Sequence, residues 1–363
     1  MSKKKKSFKK RLIWMIPLSI LILFLGYVVM LAWSDANFVP APNEDLDFSR
    51  VIRDYAPLDA RVIDIAMLGA HNTFSHAITR RSPLDPNDDS APAQHPILLT
   101  LAPGTFSRLG RTQTSSTAGL MQRGVRYLDA RISYADGWYT ENTLLSAPLR
   151  DYLYDVIVFL QNNPGELIIF DIYDARFAGY VDFPELWGYI GAFRVNGENL
   201  FDFVRFDPYT TPLYELTLRN ATNNGQAGGV VILARTDTQP GMFHYIRSGN
   251  VRRRGHGQQQ TTGSIERINA EHEYLLQGNH FHMMRISQAQ LQPTLWGSGI
   301  VDTLLRWSYI RINAVHNSII IDYERLPEWL TTTPIMMFGI TDTSRNDFNE
   351  RIMGIINEFN RGL

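Results

Sequence analysis

Ile63-Asp64-Ile65-Ala66-Met67-Leu68-Gly69-Ala70-His71-Asn72-Thr73 decides how this chain is read. A run rich in apolar and branched residues stops abruptly at a histidine and an asparagine. Nearly continuous hydrophobicity, without strict alternation, marks a strand covered on both faces, as in parallel sheets layered with helices. An ionisable group is expensive to bury unpaired. A strand that ends on His71 therefore points to a rim where polar groups meet, and the small Gly69-Ala70 step leaves room beside the ring.

Seven more short runs repeat the pattern: Tyr127–Ser133, Trp138–Thr140, Leu167–Ile172, Val230–Ala234, Phe281–Ile286, Ser318–Ile321 and Met336–Ile340. Helical stretches separate them. Leu149, Tyr152, Leu153, Val156, Ile157 and Leu160 form an i, i+3, i+4, i+7 stripe that Asn163-Pro164-Gly165 ends, and Phe348, Ile352, Ile355, Ile356 and Phe359 form another before Gly362. Eight strands alternating with helices over about 280 residues predict a closed α/β barrel of the (β/α)8 TIM type. An open doubly wound sheet is the competing arrangement.

The run ends collect the candidate chemistry. His71 and Asn72 end the first run, Asp129 and Arg131 lie in the second, and Glu141 and Asn142 end the third. Asp171 and Asp174 close the fourth, Arg235 and Asp237 the fifth, Arg285 the sixth, Asp322 and Glu324 the seventh. Asp342, after the eighth, reads as a helix cap. His71 suits a general base, with Asp322 as a carboxylate able to orient its ring. Arg131 is permanently charged and can fork onto two phosphate oxygens. A histidine, an arginine and several acids on one rim suggest phosphate-ester chemistry, with Asn72, Asn142, Asp174, Arg235 and Arg285 as substrate contacts. Two long connections, Thr79–Gly119 and Thr236–Gly278, follow strands. The second holds Arg252, Arg253 and Arg254, which read first as a solvated run and otherwise as an anion contact.

The N-terminus carries a different message. Lys3, Lys4, Lys5, Lys6, Lys9, Lys10 and Arg11 make residues 1–11 a basic tip, and residues 12–33 hold no charge. Twenty-two residues at about 1.5 Å each reach ~33 Å, enough to cross a ~30 Å hydrocarbon core. Positive charge on the first side predicts a single-pass anchor with a cytoplasmic N-terminus and an extracytoplasmic domain at 61–363, joined by a stalk at 34–60. A cleaved signal peptide is the alternative, but its apolar part would be shorter. Every lysine lies in residues 3–10, so lysine chemistry is excluded from the domain. Taking the seven tip cations from a net charge of −1 leaves −8 for the remainder, a poor surface for nucleic acid. With no cysteine there are neither disulfides nor thiolate sites.

The segments Met67-Leu68-Gly69-Ala70-His71-Asn72-Thr73 and Gly124-Val125-Arg126-Tyr127-Leu128-Asp129-Ala130-Arg131 resemble the X region of phosphatidylinositol-specific phospholipases C. Leu144 to Leu149 and Asn163 to Asp171 continue the likeness in order, and Asn317 to Tyr323 matches more loosely. The resemblance implies a barrel phosphodiesterase acting on a phospholipid or other phosphodiester. In it a histidine matching His71 takes the proton from the attacking hydroxyl, an arginine matching Arg131 neutralises the phosphoryl group, and a second histidine protonates the leaving alcohol. Asp322 matches the carboxylate that orients the first histidine. The family's second histidine falls on Asn142, or on Glu141 with a one-residue shift, and its lysine or calcium-binding glutamate falls on Tyr173. Glu141 is expected to point inward as the replacement acid, its pKa raised by Asp129 and Asp174. Relatives that use calcium place an acid where this chain has Arg131, so neither metal nor cofactor is expected. Without its acid the same barrel would serve as a ligand-binding or protein-interaction module.

Overall fold

The computed structural model describes residues 15–26, 29, 46–88, 104, 107, 110–177, 183–207, 210–234, 246–247, 251–255, 264–278, 282–289, 323–338 and 348–363. The chain divides into two compact units, Met1–Val39 and Pro40–Leu363. In the first, residues 15–26 are helical and exposed. Among the described residues no helix is long and apolar enough to cross a membrane. The expected span, 12–33, lies partly outside the described residues.

The second unit is built on strands β1 (Met67–Ala70), β2 (Val125–Tyr134), β3 (Trp138–Asn142), β4 (Leu144–Pro148), β5 (Leu167–Arg176), β6 (Gly229–Ala234), β7 (Ile246–Arg247), β8 (Val251–Gly255), β9 (Met284–Ala289) and β10 (Ile335–Phe338). Eight of them run in the order β7-β6-β5-β2-β1-β10-β9-β8, and every pairing along that path is parallel. Laid flat, eight strands would separate the two ends by about 34 Å. Yet the ends, Arg247 and Val251, are joined by only four residue steps, which span at most about 15 Å. The sheet must therefore curl round as a TIM-like barrel does, and the open alternative falls away.

Packing follows the residue pattern. All of β1 and β6 is buried, as continuous hydrophobicity requires. The helix Leu149–Asn162 buries Leu149, Tyr152, Leu153, Val156, Ile157 and Leu160, the stripe read from the sequence, together with Phe159. Gly69 is needed where the wall is tightest: a Cβ there would stand 3.0 Å from the Tyr127 ring and 3.2 Å from the Met337 backbone. The stalk expected at 34–60 is described from residue 46. There it is part of the domain, because a short helix, Val51–Tyr55, buries Val51 and Ile52 in the core.

One strand assignment fails. Trp138–Thr140 is not the third barrel strand. It lies in β3, which pairs antiparallel with β2 and β4 as a hairpin off the barrel path. Asp136, at φ +58, turns the chain with Gly137, and the Ala135 amide bonds the Gly137 carbonyl. A parallel crossover needs a dozen or more residues. Four separate the second and third runs, and an Asp-Gly pair among them is a hairpin signal. The expected seventh strand, Ser318–Ile321, lies outside the described residues.

Candidate active site

β1 and β2 are in register with Ala70 beside Leu128, so the next rung sets His71 against Asp129. His71 Nδ1 stands 2.8 Å from Asp129 Oδ2, and both residues are buried. The same carboxylate oxygen accepts the Asn72 amide at 2.9 Å. A carboxylate on Nδ1 favours the tautomer with the proton on that nitrogen and none on Nε2, the form general-base catalysis requires. Asp129 is thus a carboxylate that meets the ring; Asp322, suggested for that task by the sequence, lies outside the described residues.

The turn after β1 is fixed from several sides. Asn72 adopts φ +43, a conformation asparagine tolerates better than most residues. Thr73 donates its amide to the Asp129 carbonyl and accepts the Asp129 amide on its hydroxyl. From the first long connection, Thr112 Oγ1 donates to the His71 carbonyl at 2.9 Å and Gln113 Nε2 to the same oxygen at 2.8 Å. Tyr127, Asp129, Arg131 and Ser133 alternate along one side of β2. Tyr127 donates its hydroxyl to Asp171. Arg131 stands beside Asp174 in the β2–β5 register, and its guanidinium lies 5.6 Å from the Tyr173 ring centre. Its buried Nε has no hydrogen-bond partner among the described residues.

The β3–β4 hairpin brings Glu141 to this group. Its residue is 1% exposed, so it points inward. Oε2 accepts the Thr143 amide at 3.0 Å, and the Glu141 carbonyl accepts the Asn72 side-chain amide at 3.4 Å. Burial pushes the carboxyl up to about 7, against the lowering pull of Arg176 and Arg131, while Asp85 adds like-charge repulsion. The pKa is raised as expected, but by desolvation first and with Asp85, rather than Asp129 and Asp174, as the like charge. Buried polar atoms of Asn72 (Oδ1), Arg131 (Nε) and Glu141 (Oε1) lack hydrogen-bond partners among the described residues. Atoms of this kind on a guanidinium and a carboxyl are chemically suited to an anionic, oxygen-rich group.

Sequence reading missed the surroundings of Glu141. Arg176, at the end of β5, places Nη1 2.8 Å from Asp88, 3.6 Å from Glu141 and 3.8 Å from Asp85. Asp85 also accepts the Ser133 hydroxyl and the Asn87 amide. These acids come from a loop without periodicity, so only the fold reveals them. Other expected contacts lie elsewhere. Asn142 donates its side-chain amide to the Gly110 carbonyl at 2.8 Å, tying the hairpin to the long connection. Arg285 is not at the rim. The expected run, Phe281–Ile286, is displaced, because β9 begins at Met284, and Ile286 is level with Ile335 and Met67. Arg285 thus lies at the end of the barrel away from His71, bonded to Asp64 at 3.0 Å and to the Ile63 carbonyl. Arg235, Asp237 and Asp342 fall outside the described residues, as does the side chain of Asp174. No group of three or more histidine, aspartate and glutamate residues suited to a metal ion occurs among the described residues.

No family model matches the chain. Over 118 residues it is 37% identical to the variant-surface-glycoprotein phospholipase C of Trypanosoma brucei brucei, covering 30% of this chain and 33% of that protein. Over 114 residues it is 28% identical to PI-PLC X domain-containing protein 3 of Bos taurus, covering 30% of this chain and 36% of that one. The chain thus matches about a third of the length of these relatives. Among solved structures, phosphatidylinositol-specific phospholipase C of Listeria monocytogenes superposes with a TM-score of 0.55 at 14% identity, over 85% of this chain and 98% of that one. The Staphylococcus aureus enzyme gives 0.58 at 13%, over 86% and 97%. At such identities the structures speak for the fold, a TIM-like barrel. The sequence likeness to the X-domain family rests on the shorter matches.

Proposed function

We propose, starting from the chain's likeness to the phosphatidylinositol-specific phospholipase C X-domain family, that this protein is a phosphodiesterase that cleaves a phospholipid or related diester by general acid–base catalysis. The observation that supports this most is the buried His71–Asp129 pair, 2.8 Å apart, in a site that also holds Arg131 and a glutamate whose carboxyl is pushed up to about 7. His71 Nε2 takes the proton of the attacking hydroxyl, which belongs to the substrate or to water. The oxygen forms a bond to phosphorus as the bond to the leaving alcohol breaks. Arg131 neutralises charge on the non-bridging oxygens. Glu141 gives its proton to the departing alkoxide, and His71 and Glu141 end with exchanged proton states. A carboxyl held near 7 is matched to that task at neutral pH. Arg131 supplies the positive charge itself, so turnover is expected to persist in a chelator.

Leaving groups test the acid. Glu141→Gln is expected to slow a diester with an alkyl leaving group about 10²–10⁴-fold and a nitrophenyl diester far less, since nitrophenolate departs without a proton. Equal losses, or none, would remove Glu141 from the mechanism. We assign residues 12–33 as a membrane anchor, on the strength of their length, lack of charge and lysine-rich flank. Protease added to intact cells should then remove the domain, and protection until lysis would reverse that topology.

A further inference from the structure

The mechanism uses Glu141 but says nothing of what keeps it protonated beside two arginines. Glu141 is faced by Arg131 from β2, Arg176 from β5 and Asp85 from the 83–88 segment, with Asp88 reaching the same cluster through Arg176. A guanidinium in hydrogen-bond contact with a carboxylate holds it ionised. Arg176 does not make that contact. Its Nη1 is 2.8 Å from Asp88 and 3.6 Å from Glu141. Arg131 and Arg176 stand with the carboxylates of Asp85 and Asp88, so these four charges offset one another and ionising Glu141 adds a negative charge to them.

The 83–88 segment is built into the hairpin. Leu84 bridges to Leu144, the Asp85 amide bonds the Thr143 carbonyl at 2.9 Å, and the Leu145 amide bonds the Pro83 carbonyl at 2.9 Å. Asn87 donates its side-chain amide to Ser133 and to the Tyr134 carbonyl. Asp88 is thereby delivered to Arg176 by the same pairing that positions the Glu141 turn.

Resting on the acid role given to Glu141 above, we propose that Arg176 and Asp88 are positioning residues: Asp88 draws the Arg176 guanidinium out of hydrogen-bond reach of Glu141, so that Glu141 stays oriented and keeps its proton. The two residues act in opposite directions. Removing the Asp88 charge takes away a competitor for the guanidinium and a nearby negative charge, and favours the ionised form of Glu141. Removing Arg176 takes a cation away and favours the protonated form.

The test titrates the Glu141 carboxyl directly in the full chain, as the infrared band present in the parent and missing from Glu141→Gln. Asp88→Asn, a near-isosteric change, should move the midpoint down by about one pH unit, and Arg176→Gln up by about one. The alkaline limb of kcat for an alkyl diester should follow each shift. Midpoints that stay in place or move the same way, in variants whose circular dichroism is native, would overturn the proposal. Opposite shifts in the band without any response in the kinetic limb would leave the positioning intact and sink the acid role of Glu141 instead.

Discussion

Two arginine–glutamate encounters, one fully buried and one partly, lie at the two ends of β5. At the start of β2, Arg126 bonds Glu166 at 2.6 Å and also donates to the carbonyls of Met121, Val125 and Phe48. Glu166 in turn accepts the amides of Ile52 and Arg53, the first turn of the short helix before the barrel. Each charge is met by several partners, and neither side chain is exposed. At the far end of β5, Arg176 stands 3.6 Å from Glu141, with its closer contact to Asp88. The first pair is closed by hydrogen bonds and holds parts of the fold together. The second leaves a carboxyl short of partners, which is how a proton can be kept there for use. Local chemistry is nearly the same at both ends; the satisfaction of polar atoms separates framework from function.

The comparison breaks first at the closed pair. Arg126→Met should cost about 3–5 kcal/mol, because it strands Glu166 as a buried charge, and urea unfolding should show it as a lower midpoint. A loss under about 1 kcal/mol, the scale of exposed pairs, would mean that this end is no more a framework than the other. His71→Ala should do the reverse. It should lower turnover about 10²–10⁴-fold while the unfolding midpoint stays near that of the parent; full turnover would remove the base from the mechanism. The smallest effect concerns pH. Burial pushes the Glu141 carboxyl up to about 7 in the fold, from the 4.5 of an exposed glutamate. A raised carboxyl binds more protons folded than unfolded, so stability is greatest below 4.5 and falls as pH rises to about 7. The loss is on the order of 3 kcal/mol at most. Glu141→Gln should flatten that slope, and denaturation at several pH values would show a persistent slope if Glu141 were not its source.

The site was legible in the sequence where strand pattern and chemistry coincide. His71, Asp129 and Arg131 stand at ends or inner positions of apolar runs, and their neighbourhood follows from the register of β1 and β2. Glu141 was found through the resemblance, although the strand carrying it is a hairpin arm rather than a barrel strand. Asp129, read as a rim acid, meets the ring, while Asp322, suggested as the orienting carboxylate, lies outside the described residues. Asp85 and Asp88 gave no signal, because a loop that pairs onto a hairpin has no period of its own. Arg285 was misplaced by a shift of three residues at the start of one strand, enough to exchange the two ends of the barrel.

The last helix, Phe348–Arg361, has a consequence for how the protein is made. Asn360 accepts the Ala66 amide at 2.8 Å and donates to the Ala66 carbonyl at 3.0 Å, across 294 residues of chain. β1 itself pairs with β10. During synthesis the strand that presents His71 emerges long before β10, its partner on one side. The nascent chain must hold an unpaired, wholly apolar strand edge until β10 has been made, the condition under which partly made chains associate wrongly. For this protein the setting of His71 closes only when segments far apart along the chain have both been made.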